Sequence, residues 1–229
     1  MSALGSRAHA LERLAAPGVT FDLLVVGGGI TGAGIALDAA SRGLSVALVE
    51  RADFASGTSS KSSKLVHGGL RYLEQREFGL MREASIERDL LRRLAPHLVE
   101  PIPFVLPVSN RWNRALFGVG LWTYDALASF KNLKVHRHMS GDETEALVPA
   151  LPHGKVRGGY LFYDCRTDDV RMVFAVLGQA RRHGATVANP VAVESPDGTE
   201  DGCRASVRDE VTGESFEIAA RRVVVAAGV

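Results

Sequence analysis

FDLLVVGGGITGAGIALDAASRGLSVALVE, residues 21–50, decides the fold. Its apolar run from Leu23 to Val26 is short, β-branched at its end and stops at Gly27. That pattern predicts a strand buried on both faces of a parallel sheet. Gly27, Gly29 and Gly32 then fall on G-x-G-x-x-G. The first glycine suits a tight turn, the second lets backbone approach a pyrophosphate, and the third lets a helix lie close to the strand. The helix expected over residues 30–42 aims its first N–H groups and positive dipole end at that phosphate. Gly43 closes it from the C′ position, and residues 44–49 form a second parallel strand. Glu50, about 20 residues past the glycines, can accept both hydroxyls of an adenosine ribose. Glycine turns arise by chance, and a purely structural βαβ turn is the competing reading. The strand before, the helix after and the acid at the right distance together favour a dinucleotide-binding unit.

The rest of the composition narrows the class. At 229 residues the chain can bury one or two real cores. Hydrophobic content of 46% and charged content of 23% are ordinary for a globular protein. The net charge of +1 gives no reason to expect a nucleic-acid partner. Cys165 and Cys203 show no metal-ligand spacing and read as reduced thiols of a cytosolic protein. Residues 1–18 carry Arg7 and Arg13 among alanines and leucines without a continuous apolar stretch, so they read as a helical or disordered extension and not a signal peptide. No apolar run is long enough to span a bilayer; the nearest, residues 116–127, contains Asp125. A monotopic membrane contact stays open.

Beyond Glu50 comes Thr58-Ser59-Ser60-Lys61-Ser62-Ser63-Lys64. Composition alone favours a flexible loop. The alternative is a row of hydroxyls, N–H groups and cations around a diphosphate. His67-Gly68-Gly69 follows, and a glycine pair beside a histidine suits close backbone approach to something flat or charged. A helix is expected to start near Leu70. A longer scaffold helix covers residues 78–95, with Met81, Ala84, Leu91 and Leu94 on one face, Asp89 and Arg93 paired on the wet side and Pro96 as terminator. Residues 100–107, with Pro103 and Pro107, read as an edge strand or loop. Residues 112–130 read as a helix with Trp112, Phe117, Trp122 and Tyr124 on its surface, packing against its own domain in preference to a membrane or partner. A short acidic helix is expected at 141–147 and a strand at 158–164. Thr167 reads as the N-cap of a helix running to His183, with Asp168 and Asp169 in its first turn. A strand over 185–193, a polar turn over 194–202 and a hairpin around Thr212-Gly213 complete the pattern. Val223 to Ala226 is again a buried parallel-strand pattern running towards glycine. A turn and a further element should follow it, so the chain reads as a piece of a longer protein.

Several segments resemble one family, the FAD-dependent, quinone-linked glycerol-3-phosphate dehydrogenases among the DAO-type flavoproteins. They are VVGGGITGAGIALDAASRGLSVALVE (25–50), GTSSKSSKLVHGGLRYLEQ (57–75), RDLLRRLAPHLV (88–99) and YDCRTDDVRMV (163–173). The terminal VVVAAG resembles the family's later strand, with Ala-Ala-Gly where Ala-Thr-Gly is usual. The 57–75 segment is long and specific, and it reverses the preference for a flexible loop there.

The resemblance implies an α/β fold: a doubly wound, Rossmann-like FAD-binding domain over 19–229, discontinuous, with residues 100–165 contributing to a sheet-containing substrate region. It implies FAD as cofactor, with Gly27, Gly29 and Gly32 at the pyrophosphate and Glu50 at the ribose. Thr58, Ser59, Ser60 and Ser63 would lie near the pyrophosphate and ribityl chain. His67, Gly68 and Gly69 would border the isoalloxazine, Arg71 and Tyr72 would lie on the substrate side, and Ala192 would give a backbone contact near the adenine. His67 is the candidate for assisting proton transfer, against a plain hydrogen bond to flavin or backbone. The implied chemistry is hydride transfer from C2 of glycerol 3-phosphate to flavin N5, giving dihydroxyacetone phosphate, with electrons passed to a membrane quinone. An oxidase using O2 and a non-catalytic FAD-binding fragment are the alternatives. Expected partners are glycerol 3-phosphate, a quinone, a peripheral membrane contact and a second copy of the chain, at the inner face of the cell membrane.

Overall fold

The computed structural model describes residues 6–69, 75, 77–127, 134–199 and 202–228. The chain divides into two compact units, Met1–Ser62 with Asp169–Val229, and Ser63–Asp168.

The first unit is built on the opening stretch. Strand β1 (Thr20–Val26) leads into helix α2 (Ile30–Ser41) and strand β2 (Val46–Val49), after a short helix α1 (Arg7–Leu14) within the N-terminal extension. Arg42 caps α2 and Gly43 leaves it at φ +85°, the left-handed exit expected there. Further along the chain come helix α6 (Asp169–Arg182) and strands β7 (Thr186–Ala188), β8 (Val191–Thr199), β9 (Gly202–Asp209) and β10 (Ser215–Val225). They make a six-stranded sheet of order β7-β2-β1-β10-β9-β8. Alternation along β2 sends Val46 and Leu48 to one core, with Val25, the alanines of α2 and Val173, Leu177 and Ala180 of α6. It sends Ala47 and Val49 to the other, with Leu14 of α1 and Val191, Val207 and Ile218 of the antiparallel strands. The strand buried on both faces is therefore real, as Leu24 and Val25 are fully buried.

Three expectations change here. The hairpin arm and the final parallel strand are one element: β10 pairs antiparallel with β9 from Ser215 and parallel with β1 from Ala219 to Val225. The strand foreseen over 185–193 is two, separated at Asn189-Pro190. The polar turn foreseen over 194–202 is largely strand, because β8 runs on to Thr199 opposite β9.

The second unit centres on a long strand, β6 (Gly158–Thr167). β4 (Val99–Val108) pairs along its whole length on one side, while β5 (Arg137–Ser140) and the two-residue β3 (Leu65–Val66) share the other. β4 is thus an edge strand. Pro101, Pro103 and Pro107 sit at alternate positions, so the missing N–H groups all fall on the open side and the ladder to β6 stays intact. Helices α3 (Phe78–Leu94), α4 (Arg111–Leu127) and α5 (Gly141–Leu147) belong to this unit. A capping box between Ser140 and Glu143 starts α5. Thr167 ends β6 and does not cap α6, which begins at Asp169. The packed face of α3 includes Met81, fully buried, and Ala84 and Leu91, half-buried, as read from the sequence, but Leu94 is 71% exposed and the buried centre is completed by the polar Ser85 and Arg88. Asp89 does pair with Arg93, and with Arg92. Among the described residues no helix is long and apolar enough to cross a membrane.

Candidate functional site

In the first unit the three fingerprint glycines do separate work. Gly27 takes φ +118°, and a Cβ there would lie 2.4 Å from the carbonyl oxygen of Ala226, the residue just past β10. At Gly32 a Cβ would lie 1.9 Å from the Gly27 carbonyl oxygen, so helix and turn touch through backbone alone. These two glycines shape the turn. Gly29 opens α2 as its N-cap, and the space where its Cβ would stand is bounded by Ser59 Oγ at 2.9 Å. That same hydroxyl accepts the Ile30 N–H at 2.9 Å.

A cleft of about 140 Å³ lies over this helix start. Gly29, Ile30 and Thr31 form one wall, Glu50 and Arg51 another, and residues 55–59 and 226–228 the rest. Glu50 ends β2 and is held by main chain: Oε2 accepts the Gly28 N–H at 2.7 Å and Oε1 the Ala52 N–H at 2.9 Å. Each carboxylate oxygen has a second lone pair free of those bonds. The Thr58–Ser60 turn is a single 3-10 turn, in which Ser60 Oγ donates back to the Gly57 carbonyl. Ser62 Oγ donates to Asp169 at 2.7 Å and ties the loop to the start of α6.

These residues fit the ADP half of a dinucleotide. The helix start offers N–H groups and a positive dipole end, the missing side chain of Gly29 lets the Ser59 hydroxyl close on that start, and further hydroxyls and an acid stand at the rim. The structure brings together Gly29, Glu50, Thr58 and Ser59 in the cleft and sets Gly27 and Gly32 behind it. Ser60 sits in the same turn but does not line the cleft. Ala192 does not line it either; it lies on β8 opposite Arg208, one residue after Val191, whose N–H donates to the Glu50 carbonyl. Arg51 was not singled out from the sequence. Its position beside Glu50 was the available signal, since a cation at the rim suits a diphosphate.

Ser63, His67, Gly68 and Gly69 belong to the second unit. Ser63 is exposed, His67 half-buried, and Gly68 and Gly69 buried. Arg71 and Tyr72 lie outside the described residues. A Cβ on Gly68 would stand 2.2 Å from Tyr124 Oη and 2.7 Å from Ser85 Oγ, so this glycine allows close approach of protein groups. Its N–H donates to Asp164, at 3.3 Å from each carboxylate oxygen. Asp164 also accepts Arg88 Nη1 at 3.0 Å and the Cys165 N–H at 3.1 Å, and Arg88 Nη1 donates to Tyr124 Oη as well. Burial raises the Asp164 carboxyl, with Arg88 pulling the other way, and burial pushes the Tyr124 hydroxyl up to about 12. Sequence reasoning had left α3 without chemistry and missed this cluster.

Comparison with known proteins gives the family and the fold. The family model described as FAD dependent oxidoreductase (DAO) matches residues 22–229. A glycerol-3-phosphate dehydrogenase of Mycobacterium leprae is 46% identical over 235 residues, covering 100% of this chain and 40% of that protein. The chain therefore spans 40% of that relative's length. The structure of the glycerol-3-phosphate dehydrogenase from Bacillus halodurans complexed with FAD superposes with TM-score 0.74 at 32% identity, over 100% of this chain and 38% of that one. An L-alpha-glycerophosphate oxidase from Mycoplasma pneumoniae shares the fold, with TM-score 0.66 at 21% identity over 92% of this chain and 54% of that one.

Proposed function

The chain belongs to the FAD-dependent oxidoreductase (DAO) family, and from that premise we propose that the protein oxidises sn-glycerol 3-phosphate to dihydroxyacetone phosphate and passes the electrons to a quinone. The observation that carries the cofactor assignment is the cleft over the start of α2, where Gly29, Glu50 and the Thr58–Ser59 hydroxyls converge. The substrate rests on the 46% identity to a dehydrogenase of that name.

Bound FAD supplies the hydride acceptor at flavin N5. The protein's part is binding and orientation. The N–H groups at the start of α2 hold the pyrophosphate, with Arg51 as a countercharge. Glu50, already fixed by Gly28 and Ala52, turns its remaining lone pairs to the ribose. Thr58, Ser59, Ser60 and Ser63 serve the phosphate and ribityl side, and Ala192 the adenine side. In the second unit His67, Gly68 and Gly69 border the isoalloxazine. His67 hydrogen-bonds there and is the candidate to take the C2 hydroxyl proton. Arg71 and Tyr72 keep the substrate-side roles that the resemblance gives them.

A quinone is a lipid-phase acceptor, so a peripheral membrane contact belongs to the same reading. On α4, Trp112 is 77% exposed, Leu116 56%, Val119 69% and Trp122 58%. Their spacing follows one helical face, and Arg111 and Arg114 stand at its start, a combination suited to an anionic bilayer surface.

The test is direct. Purified protein should carry a visible flavin spectrum that glycerol 3-phosphate bleaches without oxygen and that a quinone restores. Restoration by oxygen with stoichiometric peroxide would make it an oxidase. A bound flavin that the substrate does not bleach would leave FAD binding alone, and binding of NAD in place of FAD would sink the proposal.

A further inference from the structure

The buried charges beneath Gly68 need a reason. Asp164 of β6, Arg88 and Ser85 of α3 and Tyr124 of α4 are each 5% exposed or less. A buried ion pair seldom stabilises more than apolar packing of the same volume, because desolvation offsets the attraction. Gluing α3, α4 and β6 together would not require charge. What charge can do is hold a backbone N–H in one place through a charge-assisted hydrogen bond, here shared between both carboxylate oxygens. Gly68 is the main-chain group held this way from far along the sequence, its N–H reaching Asp164 across 96 positions. The absent side chain lets the same residue rest on Tyr124 Oη and Ser85 Oγ. At Gly69 the chain turns away with φ +72°. The loop is thus pinned at its centre, with one neighbour on each side of the pin.

We propose that Asp164, Arg88 and Tyr124 are positioning residues: they fix the main chain at Gly68 and so set where His67 and Gly69 stand towards the flavin. Arg88 keeps the Asp164 carboxylate charged and aimed, and Tyr124 Oη both anchors Arg88 and sets the floor under Gly68. The inference rests on the reading above, that His67, Gly68 and Gly69 border the isoalloxazine.

Four variants of the intact protein test it: Asp164→Asn, Tyr124→Phe, Gly68→Ala, and Gly68→Ala with Tyr124→Phe. Three readouts are taken: hydrogen exchange of the 65–69 amides in flavin-free protein, the content and visible spectrum of bound flavin, and the anaerobic rate of flavin reduction by glycerol 3-phosphate. Asp164→Asn should speed exchange at those amides and slow flavin reduction by about 10- to 100-fold, the scale of a misplaced reacting group, with flavin still bound and its band shifted. Tyr124→Phe should do the same more weakly. Gly68→Ala should also slow reduction, and adding Tyr124→Phe should recover part of the loss, because it removes the oxygen nearest the new methyl. A merely structural role would move melting temperature in these variants but leave amide exchange, the flavin band and the reduction rate of the folded protein as in wild type. The proposal is overturned if folded Asp164→Asn and Tyr124→Phe keep wild-type exchange, spectrum and rate. If Asp164→Asn does not fold, Tyr124→Phe decides by the same criteria. Wild-type protein without flavin would overturn the functional reading instead, while the exchange measurement would still show whether the cluster holds the segment.

Discussion

The cleft of the first unit and the charged cluster of the second solve opposite problems with opposite materials. The cleft is made of what is missing. Three side chains are absent, main-chain N–H groups are left over at a helix start, and a carboxylate is held by two backbone donors. Its glycine turn and its hydroxyl turn each span a few residues. The cluster is made of long side chains drawn together across 36 positions from Arg88 to Tyr124 and 76 from Arg88 to Asp164. One is a backbone site suited to an anion; the other is a side-chain site that contains its own counter-ion. The first should therefore fail by crowding and the second by loss of charge balance.

The sharpest break of that contrast is Arg88→Met. Among the described residues it leaves the buried Asp164 carboxylate with two backbone donors, Gly68 and Cys165. Removing one partner of a buried pair costs roughly 3–5 kcal/mol. The pH dependence has a definite sign. Burial already raises the Asp164 carboxyl, and without Arg88, which lowers it, the folded-state value climbs further. A raised acid gives stability that is complete below the unfolded-state value near 4 and lost as pH rises through the folded value. Denaturant melts should therefore show the largest deficit at neutral pH and a smaller one on mild acidification. A deficit that stays flat with pH would mean that the cluster acts through packing and not charge.

Gly32→Ala tests the backbone side. The new methyl would stand 1.9 Å from the Gly27 carbonyl oxygen, and no flexible side chain can yield. Overpacking of this kind costs about 1–3 kcal/mol, and here it also displaces the turn that frames the cleft, so flavin content should fall with the melting temperature. Gly34→Ala, two residues on in the same helix, meets nothing within 4 Å. It should stabilise by up to about 1 kcal/mol through helix propensity and leave flavin content unchanged. Equal losses from the two would show that α2 tolerates no methyl anywhere and that the fingerprint positions are not special.

Legibility in the sequence followed the same division. Gly27, Gly29, Gly32, Gly43 and Glu50 could be placed because a turn, a helix exit and a strand end are local shapes with local residue requirements. The proline spacing marked β4 as an edge for the same reason. The Thr58–Ser60 turn is local too, yet composition alone suggested a loose loop, and only the resemblance corrected it. Arg88 was opaque. On a helix read by hydrophobic period, an arginine on the packed face looks like a misfit, and its partner lies 76 positions away on another element. Thr167 misled because a threonine before two acids is a good cap signal, while the pairing of β6 with β4 runs through it. β10 misled because one strand changes from an antiparallel to a parallel neighbour along its length, which periodicity cannot register.

Glu50→Gln sharpens the contrast, because Glu50 is the acid on which the backbone cleft depends. Its oxygens accept from Gly28 and Ala52. An amide presents one oxygen and one NH2, so one backbone N–H would face a donor and the side chain would swing from the rim. The expected loss is about 1–2 kcal/mol of flavin affinity, the cost of one charge-assisted hydrogen bond, read by titration of flavin fluorescence. Stability without flavin should change less than affinity does.

The smallest effect comes from a place where the contrast is blurred. Arg7 of α1 pairs with Asp209 across 202 positions, and its Nε donates to the Asn189 carbonyl at 2.7 Å. So the first unit also contains a long-range charge contact, well away from the cleft. Asp209 is nearly buried, but the Arg7 side chain is 34% exposed, and solvent screening limits what such a pair can contribute. Arg7→Ala should cost at most about 1 kcal/mol. The hydrogen bond from Arg7 holds the Asp209 carboxyl below its usual range, so its contribution is present above the unfolded-state value and lost as pH falls through the folded one. The gap between wild type and variant should thus be steady at neutral pH and close only in acid below the unfolded-state value, a lower range than the mild acidification that relieves Arg88→Met. That difference in pH range follows from burial. Where water reaches one partner, the pair depresses its acid, and where water reaches neither, desolvation raises it despite the cation. If Arg7→Ala instead cost as much as Arg88→Met, exposure would not be what separates the two ion pairs, and the division between backbone and charge-built regions would have to be drawn elsewhere.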